Sequence, residues 1–170
     1  MLETVPLVII GSSRKDSDTR YFVDQTFVPS KVDIADLLDY KISGYSYDHD
    51  YSPEDEFEKL ISLILSHDKI VFATPVYWYA MSGVMKTFFD RITDLVTYQK
   101  IVGRNLEGKS VLLVAVGSDP ELPPGFEIPF RLTAEYLNME YKGNIYFSSN
   151  SREILLEKRT EIEVFLDAIL

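Results

Sequence analysis

The sequence contains no cysteine, which excludes disulfides, thiolate metal sites, iron–sulfur clusters and a thiol nucleophile. Positive charge is also short: 17 Lys and Arg stand against 27 Asp and Glu, a formal net charge of −10. No large basic field exists to release phosphate counterions, which argues against a general nucleic-acid binder. Long hydrophobic runs are missing as well. The opening MLETVPLVII has no basic start and too short an apolar run for a signal peptide, and no later run reaches spanning length. The expected setting is therefore cytoplasmic, with no membrane partner and no metal. What remains is an ordinary globular composition, 46% apolar and 26% charged, in 170 residues that suit one domain.

Short β-rich runs alternate with longer segments of helical period. Val5–Ile10 is a continuous apolar run, as expected of a parallel strand buried on both faces. Thr19–Phe27 suits a short helix and Val32–Leu38 a second strand, followed by the irregular stretch YKISGYSYDHDYS over 40–52. Ser52-Pro53-Glu54-Asp55 reads as a helix start, with a hydroxyl cap, Pro at the first position and acids at the positive end of the dipole. That helix presents Phe57, Leu60, Ile61 and Ile64, and ends near His67, which is placed to cap it. Lys69–Ala73 is the third strand. A helix then carries Val84, Phe88 and Ile92, with Lys86 and Asp90 spaced as an i,i+4 ion pair. A loop with Gly103 and Gly108 leads to the strand Ser110–Val116. A helix through Leu132, Tyr136 and Leu137, a strand over Tyr141–Phe147 and a helix over Glu153–Ile169 complete the chain.

Five strands alternating with helices predict an α/β fold, a doubly wound parallel sheet of order 2-1-3-4-5 with helices on both faces. Ligands of such sheets bind beyond the carboxyl ends of the strands, which directs attention to the loops after strands one, three and four. The first reads GSSRKDSDT. Main-chain N–H groups entering a helix, with Ser12, Ser13, Ser17 and Thr19, suit a phosphate monoester, and three cations against two aspartates leave the loop slightly positive. Its rivals fail on spacing: Asp16 and Ser17 stand where a Walker loop needs Gly and Lys, and a dinucleotide fingerprint needs glycines beyond Gly11. A phosphatase loop would need a Cys.

The second loop, TPVYWYAMSGVMKTFFDR, places Tyr77, Trp78 and Tyr79 at a strand end, where rings can stack on a planar heteroaromatic. Pro75 fixes the backbone as the strand ends, and Met81, Ser82 and Gly83 open a helix whose N–H groups can meet ring acceptors. The two loops together resemble the flavodoxin-like NAD(P)H-dependent FMN reductase family, over nearly the whole chain. The resemblance implies FMN as cofactor and NAD(P)H as co-substrate, with electrons passed to a quinone, a flavin or a similar small acceptor.

By that resemblance Ser12, Arg14, Ser17 and Thr19 hold the phosphate. Pro75, Val76, Tyr77 and Trp78 line the flavin ring, Met81, Ser82 and Gly83 close the site, and Gly117 and Ser118 approach the other side. It implies no particular catalytic acid or base. It also implies a homodimer, for which the tyrosines of 40–52 are candidate interface residues. A flavodoxin-type electron carrier and a non-catalytic flavin-binding module are the alternatives. One departure stands out: Ser17-Asp18 occupies the place of the family's Gly-Asn. An Asp beside a phosphate is repelled unless it faces away or pairs with Arg14, Lys15 or Arg20.

Overall fold

The computed structural model describes residues 5–27, 31–150, 155 and 158–168. Parallel strands β1 (Leu7–Ile10), β2 (Asp33–Asp36), β3 (Lys69–Tyr77), β5 (Ser110–Gly117) and β6 (Glu140–Ser148) form one sheet in the order β2-β1-β3-β5-β6. The two-residue β4 (Ala80–Met81) folds back antiparallel on the end of β3. With that hairpin set aside, the order is the expected doubly wound one.

Alternation along the strands divides the core into two layers. Leu7, Ile9, Ile70, Phe72, Leu113 and Ala115 face helices α2 (Phe57–Leu65), α3 (Gly83–Arg91) and α6 (Ile128–Tyr136), which contribute Leu60, Met85, Phe88 and Phe130. Val8, Ile10, Val71, Ala73, Leu112 and Val114 face α1 (Asp18–Phe27) and the C-terminal α7 (Arg159–Asp167), through Phe22, Val23 and Phe165. Phe22 stacks on Phe147 with ring centroids 4.8 Å apart. Each such fully buried side chain contributes about 1.5–3 kcal/mol through removal from water. The expected last helix agrees over its described residues; 153, 154, 156, 157 and 169 lie outside them.

Three expectations need correction. Pro75 does not end its strand. It pairs with Val116 inside β3, two residues after Ala73, whose carbonyl accepts from Gly11 N–H at 2.8 Å. The N–H that Pro75 lacks would therefore point to the side where β1 has already stopped, so no ladder bond is lost. The helix expected from Ser52 begins at Phe57 instead. Ser52 and Asp55 close a turn, and Asp55 Oδ1 accepts from Phe57 N–H at 3.1 Å. Between α3 and β5 the expected loop is mostly helical, as α4 (Thr93–Thr97) and α5 (Lys100–Arg104). Gly103 packs so closely on α4 that an added Cβ would lie 2.1 Å from the Leu95 carbonyl oxygen.

The irregular stretch before α2 is pinned to α3 through Arg91. That buried guanidinium bonds Asp55 at 2.7 Å, Asp94 at 3.0 Å and the Ser43 carbonyl at 3.2 Å, and lies 3.5 Å from the Tyr51 ring centre. Tyr51 Oη donates to Asp94 at 3.0 Å. His49 Nδ1 lies 3.1 Å from Asp94 Oδ1, and its ring stacks on Tyr98. His67 Nδ1 lies 2.8 Å from the Leu63 carbonyl, the capping place expected of it. Lys86 and Asp90 pair as their spacing predicts, at 2.5 Å.

Candidate functional site

The site grows out of the place where β1 stops. Gly11 lies against α3, with a hypothetical Cβ only 2.8 Å from Met85 Cε, so the chain turns there without a side chain. Ser82 locks this turn: its hydroxyl donates to the Gly11 carbonyl at 2.6 Å and accepts from Met85 N–H at 3.1 Å as the cap of α3. Ser17 caps α1 in the same manner, its Oγ accepting from Arg20 N–H at 3.2 Å. The start of α1, at Ser17, Asp18 and Thr19, lies across a shared cavity from the ends of β3 and β5.

A cavity of about 280 Å³ lies between these loops. Ser12, Arg14, Ser17 and Thr19 form one wall, and Pro75, Val76 and Tyr77 a second. Gly117 and Ser118 form the third, where an added Cβ on Gly117 would meet Tyr146 Oη at 2.8 Å and Val76 Cβ at 3.2 Å. Burial pushes the Tyr146 phenol up, and its hydroxyl donates to the Asp119 carbonyl at 2.7 Å.

Two hydroxyls on the first wall are unusual. Ser12 and Thr19 are each 1% exposed, and Ser12 Oγ and Thr19 Oγ1 have no hydrogen-bond partner among the described residues. Buried polar groups are normally paired; a third such hydroxyl, Thr26 Oγ1, lies farther along α1 and off the lining, whereas Ser12 and Thr19 are both among the residues that border the cavity. A wider groove of about 390 Å³, bordered by Glu58, Tyr98 and Ile101, lies among helices and carries no such orphan.

Four other residues expected at the site lie off this lining. Met81 belongs to the hairpin strand, paired with Val76, and Gly83 is the exposed first residue of α3. Ser82 is fully buried in its capping role. Trp78 is 94% exposed at the hairpin tip, where it and Tyr79 have φ of 49° and 63°. Both central residues of this two-residue turn thus adopt the left-handed conformation that usually falls to Asn-Gly. Ser149, not among the residues expected at the site, lines the cavity and donates its N–H to the Gly117 carbonyl at 2.7 Å. The polar run FSSN after the final strand was the available signal.

Charge is distributed otherwise than the composition of the first loop implies. Lys15 is paired with Asp39, and Arg20 bonds both oxygens of Asp24 at 2.9 and 3.0 Å. Arg14 and Asp18 are the charged residues on the described lining, and neither has an ion-pair partner among the described residues. Of the two ways to accommodate Asp18, pairing with a neighbouring cation is not used.

A doubly wound sheet with a cavity beyond the carboxyl ends of its strands, bordered by a hydroxyl-bearing loop and a proline–aromatic wall, defines a flavodoxin-like protein. Residues 6–151 match the family described as NADPH-dependent FMN reductase, and the chain belongs to that family. Its cofactor class is accordingly FMN.

Among curated relatives, YwqN of Bacillus subtilis, which bears the name of an NAD(P)H-dependent FMN-containing oxidoreductase, is 28% identical over 101 residues. That match covers 57% of this chain and 56% of the relative, so the chain spans about half the length of the relatives it matches. Among solved structures, the Trp repressor binding protein from Bacillus subtilis superposes with a TM-score of 0.71 at 21% identity, covering 94% of this chain and 95% of the other. General stress protein 14 from Treponema denticola, in complex with FMN, gives 0.70 at 18%, covering 98% and 100%. At these identities the likeness shows the fold. No helix among the described residues is long and apolar enough to cross a membrane.

Proposed function

We propose that the chain, one flavin-binding domain over residues 1–170, acts as an NAD(P)H-dependent FMN oxidoreductase delivering electrons to a quinone, a free flavin or a similar small acceptor. The pair of partnerless buried hydroxyls on Ser12 and Thr19 carries this reading, because a phosphate group supplies the acceptor oxygens that both lack. Arg14 and the first N–H groups of α1 add a cation and main-chain donors at the same wall. Ser17 contributes by holding the helix start in place.

Bound FMN would accept a hydride from the reduced nicotinamide and pass the electrons on. The chain's own work is positioning. Pro75, Val76 and Tyr77 on one side and Gly117 and Ser118 on the other would border the ring, Gly117 by leaving room that a Cβ would fill. Met81 steadies Val76 across the hairpin, while Ser82 and Gly83 fix the start of α3 against the β1 turn. No side-chain nucleophile is required.

Trp78 and Tyr79, held in solvent, would cover the ring from outside or meet a second copy of the chain. Tyr and Trp are enriched at interfaces, and a cytoplasmic homodimer is part of this proposal. Sedimentation of the purified chain should show a dimer that Trp78→Ala and Tyr79→Ala weaken; a monomer at all concentrations contradicts it.

The activity is tested by following NADPH and NADH oxidation by the FMN-loaded protein with a quinone acceptor. Turnover supports the reading. Bound flavin without turnover removes the reductase and leaves a carrier or binding module.

A further inference from the structure

The phosphate wall of the cavity has the wrong charge for a site that selects a phosphorylated ligand strongly. A phosphate monoester carries about −1.5 to −2 charges near neutral pH. The loop beside it holds three cations, but Lys15 is committed to Asp39 and Arg20 to Asp24, both carboxylates outside the lining. Arg14 is left, and on the same lining stands Asp18, half-buried and without a partner among the described residues. One positive and one negative group thus leave the described lining formally neutral. The attraction that remains comes from neutral donors: the orphan hydroxyls of Ser12 and Thr19 and the N–H groups that open α1.

We infer that Asp18 sets the flavin selectivity of this site: by offsetting Arg14 it removes most of the electrostatic gain from the phosphate, so that phosphate-free riboflavin is accepted nearly as well as FMN. This rests on the flavin reading above and deepens it. The site becomes one through which flavins exchange, as a diffusible substrate, rather than one that retains a single phosphorylated cofactor. Position supports the assignment. Asp18 is the first residue of α1, next to Thr19, and both residues line the cavity. Asp at a helix start is favourable to the helix itself, which explains how the residue is tolerated there.

The test is direct binding to the flavin-free chain, followed by quenching of flavin fluorescence with FMN and with riboflavin. The wild-type protein should bind the two with dissociation constants within roughly tenfold of each other. Asp18→Asn, which keeps shape and capping ability, should tighten FMN by about tenfold or more and leave riboflavin unchanged. Asp18→Ser should shift the ratio in the same direction, which guards against a fault peculiar to one variant. An unchanged FMN affinity in both variants overturns the inference, as does equal tightening of both flavins. Failure of the wild type and both variants to bind either flavin is a different result: it overturns the flavin reading itself, and the selectivity role with it.

Discussion

Ser12 and Thr19 bury hydroxyls that nothing in the described protein satisfies, an arrangement that disfavours the ligand-free state. Thr19→Val keeps the shape of the side chain and removes the orphan oxygen. It should leave the free protein as stable as before, or more stable by about 1 kcal/mol, in thermal unfolding. The same change should weaken FMN binding by roughly tenfold, since a hydrogen bond to a charged group is lost. Stability and binding moving together downward would mean that the hydroxyl serves the fold. The sequence indicated these residues as hydroxyls in a loop after the first strand. Which of them were already engaged was not legible there: Ser17 and Ser82 are occupied as helix caps, Ser12 and Thr19 are free, and only the packing distinguishes them.

The β3–β4 hairpin and α5 show how elements escape a local reading. The strand was expected to end where Pro75 fixes the backbone, and TyrTrpTyrAla contains neither residue of the Asn-Gly pair by which a two-residue turn is recognised. The chain instead holds Trp78 and Tyr79 at positive φ, at a cost of about 1–2 kcal/mol per residue. Strain of this kind collects at functional sites. Replacing Trp78 by Asn and Tyr79 by Gly should raise the unfolding free energy by about 1–2 kcal/mol and reduce turnover. A hairpin that matters only for folding would show the gain without the loss.

In α5, Gly103 had suggested a loop, whereas the glycine is needed because the Leu95 carbonyl occupies the space of a side chain. Gly103→Ala should therefore destabilise the protein by more than about 2 kcal/mol, although alanine is the better helix former. Strand order was legible because apolar runs of the right length alternate with helical periods. The start of α2 was not, since Ser-Pro-Glu-Asp suits a turn as well as a helix and Arg91, far along the chain, takes up Asp55.

Across the whole molecule, Arg91 with Asp55 and Asp94 joins the irregular stretch before α2 to the helical layer. Removing the guanidinium takes the shared cation from two buried carboxylates, which keep only their other hydrogen bonds, so Arg91→Ala should cost about 3–5 kcal/mol. Burial alone would push the Asp55 carboxyl up, but hydrogen bonds from Arg91 and from the Ser43 and Phe57 N–H groups outweigh it and hold the carboxyl below the usual range. A carboxyl lowered in the folded state stabilises fully above its unfolded value of about 3.9, and that contribution fades as pH falls through the lower folded value. Denaturant titrations between pH 6 and 3 should show stability falling with acid in the wild type, and less steeply in Asp55→Asn.

The central claim, that the cavity at the carboxyl ends of β1, β3 and β5 holds FMN, is tested most directly by titrating the flavin-free protein with FMN. Saturable quenching at one site per chain is expected, weakened by Arg14→Ala and by Thr19→Val in proteins that remain folded. An absence of binding, or binding that neither substitution alters, would contradict it.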